Sequence, residues 1–410
     1  MRIPFAGAIA LILLTLFVDC YIFRDIRQYS RAGCQRRNSI IYGILTALCW
    51  AALCVILFYP LKNGENSILP LMWILYSFIS VYIAKLIYCL SSLVGRMFVR
   101  KNRHINYGIY FGMSLGAALF AVMWWGVAFT RHEIRVNNVK IESDKLPAAF
   151  HGFKVLQFSD AHVGTWGNDT TFISQLVDSI NACRPDVVMF TGDIVNRKSD
   201  ELLPFRKVLS RIYAPHGVYA VLGNHDYGQY VKWDNPGDAE ADTRKLVGMM
   251  ENMGWKVLNN KTDFIRVGTD SIAVIGVENW GEPPFNQRGN LSAAYRPDDK
   301  TGESLYDSNY KILLTHNPEH WGQVATKTSN INLSLAGHTH AMQSMIGVGK
   351  WKWSPAKFRY SRWGGLYIEE SADGTPMNLY VNIGSGEVGF PARIGIAYPE
   401  LTLFSLEQSN

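Results

Sequence analysis

"INLSLAGHTHAMQ", residues 331–343, decides how the second half of this chain is read. A short apolar run rich in Ile and Leu reads as a buried strand. It stops abruptly at a glycine and a His-x-His pair. Alone, the pair is compatible with a metal clamp, a catalytic base beside its helper, or two histidines on an exposed loop. The rest of the sequence supplies the context. "FKVLQF" (153–158) runs into "SDAHVG", "DVVMFT" (186–191) into "GDIVN", "GVYAVL" (217–222) into "GNHDYG", and "KILLT" (311–315) into "HNPEH". Each strand-length run ends at a possible metal ligand: Asp160 and His162, Asp193, Asn224, His316, and finally His338 and His340. Histidines scattered over a surface would not gather at strand ends in this way.

Helical patterns fall between some of these runs. Residues 171–183 follow the capping signal Asn168-Asp169, and 242–253 stop at Gly254. Strands alternating with helices argue for an α/β domain whose site lies at the carboxyl ends of the strands. Imidazole, carboxylate and amide oxygen with no thiolate suit Mn, Fe or Zn better than a structural zinc site. Seven ligands are too many for one ion and suit two divalent metal ions, with one carboxylate bridging. Two ions about 3.5–4 Å apart clamp the attacking and departing oxygens of an in-line phosphoryl displacement.

The first 130 residues differ. The chain is 48% hydrophobic and only 18% charged, and the excess lies in four apolar runs, 3–23, 39–60, 68–90 and 105–130. Each reaches the ~20 residues that cross a bilayer as a helix. A cleaved signal peptide is the weaker reading of the first run, which lacks a clear small-residue cleavage site. Arg24, Arg27, Arg31, Arg36 and Arg37 mark the first loop, and Arg96, Arg100, Lys101 and Arg103 the third. The second loop, "LKNGENS", sets one Lys against one Glu. The positive-inside rule therefore places loops one and three in the cytoplasm and everything after Thr130 outside it. The net charge of +6 is largely a topology signal, so nucleic-acid binding is not expected. Only Cys183 lies beyond Thr130, which excludes an internal disulfide there. Asp19 and Lys85 sit inside apolar runs, and snorkelling to the interface is the favoured reading over a buried ion pair. Gly108, Gly112 and Gly116 form a stripe suited to close helix packing.

The ordered motifs D-x-H, GD, GNHD, H-N-P and GHTH resemble the calcineurin-like metallophosphoesterase superfamily, over roughly residue 134 to the C-terminus. "SDAHVG", "THNPE" and "GFPARIGIAYPELTLFSL" look most like its bacterial membrane-associated branch, which includes UDP-2,3-diacylglucosamine pyrophosphatases. The resemblance implies a four-layer α/β/β/α sandwich, and the apolar runs put four transmembrane helices before it, with residues 1–130 as anchor, 131–150 as linker and edge strand, and 151–410 as the phosphoesterase domain. It implies that Asp160, His162 and His340 bind one metal, that Asn224, His316 and His338 bind the other, and that Asp193 bridges. His225 would face the phosphate and protonate the leaving oxygen. Two positions depart from the family pattern. Asn196 stands where many relatives carry an acid that orients the catalytic histidine, and Asp226 is a candidate to compensate. Ala341-Met342 replaces the two glycines of GHTHGGQ, where side chains are expected to narrow the pocket.

His216 and His320 read as surface or supporting residues rather than ligands. Residues 350–367, "KWKWSPAKFRYSRWGGLY", are either a hairpin packing its aromatics on the sandwich or a lip that meets anionic lipid headgroups. Three functions follow. The first is a phosphoesterase in the inner membrane of a bacterium, acting on a lipid-linked or cell-envelope phosphodiester, phosphomonoester or pyrophosphate. The second is UDP-2,3-diacylglucosamine pyrophosphatase, which needs its nucleotide substrate on the domain's side and is opposed by the inferred topology. The third is a non-catalytic sensor with a vestigial site, opposed by the complete ligand set.

Overall fold

The computed structural model describes residues 5–31, 33–58, 68–99, 105–283, 286–294, 310–327, 331–349, 351–370, 374 and 376–409. The second loop, 61–67, and the basic residues Arg100, Lys101 and Arg103 lie outside the described residues. Contacts divide the chain into two units, Met1–Ala128 with Gly389–Ala392, and Phe129–Val388 with Arg393–Asn410.

The first unit holds four long helices, α1 (Phe5–Tyr29), α2 (Gln35–Phe58), α3 (Leu69–Arg96) and α4 (Tyr107–Ala128). All four are long and apolar enough to cross a membrane. Where α3 and α4 meet, a Cβ on Gly108 would lie 2.0 Å from the Ser91 carbonyl oxygen, and one on Gly116 would lie 2.9 Å from that of Ala84. Only glycine permits this approach, so the stripe does what its spacing predicts.

The snorkelling expectation is corrected. Lys85 Nζ lies 2.8 Å from Asp19 Oδ1, and the same carboxylate accepts from Tyr42 Oη at 2.7 Å, Trp50 Nε1 at 3.0 Å and Tyr82 Oη at 2.8 Å. Donors from α2 and α3 thus converge on one α1 carboxylate. Four partners satisfy a charge that would otherwise be expensive among apolar helices, which removes the reason to reach for the interface.

In the second unit, one six-stranded sheet has the order β1 (Arg135–Ser143), β15 (Glu400–Gln408), β2 (Phe153–Phe158), β3 (Val187–Phe190), β4 (Val218–Ala220) and β5 (Trp255–Val257). The other has the order β12 (Gly365–Glu370), β13 (Pro376–Val381), β9 (Leu333–Ala336), β8 (Lys311–Leu314), β7 (Asp270–Gly276) and β6 (Lys261–Val267). A small third sheet orders β11 (Trp351–Trp353), β10 (Ser344–Val348) and β14 (Ile394–Gly395). The strands β2 to β5 are mutually parallel, and so are β7, β8, β9 and β13.

The period-2 alternation of side chains builds four layers. Val155, Val187 and Met189 face the second sheet and pack with Val274, Ile312 and Leu335. Their neighbours Leu156, Val188 and Phe190 face the other way, onto α5 (Thr171–Ala182), α6 (Arg206–Leu209) and α7 (Asp238–Asn252). Ala273, Leu313 and Leu379 likewise cover α8 (Leu291–Ala294) and α9 (Glu319–Gln323). Strands apolar on both faces are what a doubly covered parallel sheet requires. The edge strand expected within 131–150 is β1, which pairs in parallel with β15.

Removing one partner of the Asp19–Lys85 pair strands the other charge. Lys85→Met is expected to cost about 3–5 kcal/mol, and the double change Asp19→Asn with Lys85→Met to recover part of it. Unfolding midpoints in detergent check this; strictly additive losses would mean that the two residues do not pair.

Candidate metal centre

The parallel strands deliver their carboxyl ends to one place. β2 leads to Asp160 and His162, β3 to Asp193, β4 to Asn224 and His225, β8 to His316, and β9 to His338 and His340. The backbone there is forced. Asp160, His162, Asp193, His338 and His340 all have positive φ, between 39° and 74°. Non-glycine residues adopt that region at a cost, and they do so where the surroundings over-determine them. The turns swing each side chain back over the strand ends.

All seven sequence-predicted ligands come together. His340 Nε2 lies 3.2 Å from Asp160 Oδ1 and 3.1 Å from His162 Nε2. His162 Nε2 and His316 Nε2 lie 3.6 Å and 3.2 Å from the same Asp193 oxygen, Oδ2. His316 Nε2 is also 3.2 Å from Asn224 Oδ1 and from His338 Nδ1. His162 and His316 spend their Nδ1 on the carbonyls of Val195 and Thr191, at 3.1 Å and 2.8 Å. With Nδ1 donating, Nε2 of the neutral ring presents a lone pair. Imidazole nitrogens and carboxylate oxygens facing one another at these distances could hold a cation between them. Ligands about 2.0–2.2 Å from one ion stand at such separations from each other.

The charges of the cluster act in the same sense. Burial opposes ionisation of Asp160, yet the rings of His340 and His316 hold its carboxyl below the usual carboxylate range. Burial also works against a charged His316, but Asp193 and Asp160 raise it to about 9. Burial, with His316 beside it, pushes His338 down to about 3. A proton on His316 thus balances carboxylates that a metal ion would otherwise neutralise.

His225 is supported differently from the expectation. Its Nδ1 lies 2.6 Å from the backbone carbonyl of Asn196, and its ring stacks on Tyr230 with centroids 4.1 Å apart. The Asn196 side chain points elsewhere, donating to Thr165 Oγ1 at 2.8 Å and to the Glu387 carbonyl at 3.4 Å. Asp226 does not compensate at the ring. Its carboxylate accepts the backbone N–H groups of Asp193, Ile194, Val195 and Gly223, at 2.8–3.2 Å. It clasps the loop that carries Asp193, and burial beside Asp193 raises it to about 7.

His216 stands apart from the ligands, against the Phe153 ring at 5.3 Å. His320 is fully buried rather than superficial, with Nδ1 3.1 Å from the hydroxyl of Thr315, the residue before the ligand His316. Ala341 also differs: its methyl joins Met345, Ile383 and Ala397 in a small core. Met342 remains 41% exposed.

Sequence reasoning missed the loop after β13. Ser385 and Gly386 donate backbone N–H groups to the carbonyls of Ser159 and Asp160, at 2.9 Å and 2.7 Å. A Cβ on Gly386 would lie 2.0 Å from the Ala161 carbonyl oxygen. The buried Arg393 donates to the carbonyls of Ile383, Gly384 and Gly386 and fixes this loop in turn. The apolar run "NLYV" leading into "NIGSGEVG" was the available signal.

Residues 153–342 match the family model "Calcineurin-like phosphoesterase", and residues 1–131 match the model "Probable Calcineurin-like phosphoesterase, transmembrane domain". The chain carries a calcineurin-like phosphoesterase domain behind a four-helix membrane domain. It is 29% identical to the metallophosphoesterase YkuE of Bacillus subtilis over 312 residues, covering 73% of this chain and 96% of that one. It is 25% identical to a zebrafish (Danio rerio) transmembrane protein with a metallophosphoesterase domain, covering 88% and 81%. The UDP-2,3-diacylglucosamine pyrophosphatase LpxG of Chlamydia trachomatis is 24% identical, with coverage of 58% and 79%. Among the described residues, three His/Asp groups of this phosphoesterase domain could hold a metal ion: Asp160 with His162 and His340; Asp193 with His316 and His338; and His162 with Asp193 and His225.

The clasp gives a prediction. Asp226→Ala leaves four buried backbone donors without their acceptor, each at about 1–3 kcal/mol. The expected result is a lower unfolding midpoint together with less bound metal. Asp226→Asn, which keeps one acceptor oxygen, should lose less of both. Metal content unchanged in the alanine variant would show that the clasp does not position Asp193.

Proposed function

We propose that this protein is a membrane-anchored, dinuclear-metal phosphoesterase that hydrolyses a phosphodiester, phosphomonoester or pyrophosphate bond in a lipid-linked or cell-envelope substrate. The observation that carries the reading is the shared Asp193 oxygen, which lies between His162 of one ligand group and His316 of the other. Asp160, His162 and His340 would hold one ion, and Asn224, His316 and His338 the second, with Asp193 common to both. Two divalent ions there, with Mn, Fe and Zn the candidates, would supply Lewis-acid charge and an activated water when bound.

The protein's own groups do the rest. His225 donates a proton from Nε2 to the leaving oxygen. The Asn196 carbonyl accepts from Nδ1 in both the charged and neutral ring, so the ring keeps its orientation through the transfer. Tyr230, stacked on that ring, also accepts from Asn224 Nδ2 through its hydroxyl at 2.8 Å, which ties the acid to a neighbouring ligand. The left-handed turns hold the ligands before substrate arrives, so little reorganisation accompanies the reaction.

The arginines around the first interhelical loop support a cytoplasmic position for that loop, and four spans then favour an extracytoplasmic catalytic domain. The likeness to LpxG favours a second reading, a nucleotide-lipid pyrophosphatase. It requires the opposite side of the membrane.

Activity against bis(p-nitrophenyl) phosphate should vanish with a chelator and return with a transition metal. His225→Ala should keep both metals and lose about 10²–10⁴ in rate, the range for a missing general acid. Because His225 also lies within reach of His162 and Asp193, loss of metal in this variant would make it a ligand instead. Sidedness is checked independently with protease added to spheroplasts. Cleavage of the catalytic domain is expected, and a protected domain would bring the nucleotide-lipid reading forward.

A further inference from the structure

The hairpin β10–β11 takes no part in the chemistry above, and its surface is unusual. Along β10 the side chains alternate. Met345 packs into the small core with Ala341, and a Cβ on Gly347 would lie 3.0 Å from Ile396, so this face is turned to the protein. The other face carries Ile346 and Val348, 52% and 84% exposed. Their cross-strand partners on β11 are Trp353 and Trp351, and Trp351 is 59% exposed. Phe358, 84% exposed, sets its ring edge-on to Trp353 with centroids 6.0 Å apart. An antiparallel hairpin with one face packed carries polar residues on the other when that face meets water. Here the outward face is Ile, Val and Trp, continued by Phe358. Trp351 and Phe358 therefore do not pack on the sandwich as a buried hairpin would, whereas Trp363 and Tyr367 lie against buried clusters. Lys352 and Lys357 are exposed around the patch, as is Arg359, which also meets Glu282 at 3.3 Å.

The same hairpin is fastened to the ligand loop. Ser354 Oγ donates to the Ala341 carbonyl at 2.6 Å, and Thr339 Oγ1 donates to the Trp363 carbonyl at 2.6 Å. Tyr360 Oη lies 3.3 Å from His338 Nε2. Whatever covers the hairpin is therefore held beside the metal centre.

A bilayer fits this surface best. Exposed Trp and aliphatic side chains ringed by Lys suit the headgroup boundary of a membrane with anionic lipid. Only residues 129–134 separate α4, a candidate membrane span, from β1, and six residues reach at most about 20 Å. We propose that the β10–β11 hairpin and Phe358 insert into the headgroup region of a bilayer containing anionic lipid, and that the metal centre thereby meets phosphoesters at headgroup depth. Insertion stands on the hairpin alone, whereas the substrate class rests on the phosphoesterase reading above.

The test uses the full chain, with its six native cysteines replaced, reconstituted in phosphatidylcholine–phosphatidylglycerol vesicles. An environment-sensitive fluorophore is placed at Val348→Cys and, as a reference on exposed α7, at Glu251→Cys. Nitroxide-labelled lipid is expected to quench the Val348 label several-fold more than the Glu251 label. Phe358→Cys gives the same readout should the Val348 variant fail to fold. Equal quenching at the two positions overturns insertion. A blue shift without quenching also overturns it, because the patch is then covered by protein such as a second copy of the chain. Hydrolysis of bis(p-nitrophenyl) phosphate by the wild-type protein is measured separately. Quenching without hydrolysis keeps the insertion and removes the substrate assignment.

Discussion

Two buried carboxylates, Asp160 and Asp193, face imidazole nitrogens whose donors are already committed to backbone carbonyls. Such a cluster is stable only with positive charge at its centre. Much of the second unit serves that constraint. The parallel strands of two mixed sheets bring their carboxyl ends together, five candidate ligands accept left-handed backbone, and Asp226 and Arg393 spend buried charges on holding loops. Features that look wasteful for stability are explained once the site is the purpose.

The strands with site residues were legible because they are apolar on both faces and end in chemically distinctive residues. β2 was read at its observed limits, and β3, β4, β8 and β9 within two residues. The edges were less visible. β6 and β12 alternate partly exposed positions with polar ones, and β5 has only three residues, so none stands out as an apolar run. All seven candidate ligands stand out in the sequence because each belongs to a strand-end motif. Their supports do not. The His225 contact uses the carbonyl of Asn196, and a backbone atom leaves no trace in residue identity. The Asp226 clasp likewise binds backbone N–H groups, so its partners are invisible in sequence.

In the membrane unit, spacing and charge succeeded unequally. The Gly108–Gly112–Gly116 stripe has a reading that depends only on size and helical period, and it held. Asp19 and Lys85 are 66 residues apart, and their pairing depends on how three helices pack. Position along a span cannot reveal that. The β10–β11 hairpin is the converse case, since the composition of its second strand was conspicuous but only the structure shows which face is outward.

The central claim is that Asp193 joins two ions in one site. X-ray absorption on fully metal-loaded protein tests it most directly. A shell of nitrogen and oxygen at about 2.0–2.2 Å, with a metal neighbour at about 3.5–4 Å, is the predicted result. A fully loaded protein whose absorber has no metal neighbour would contradict it.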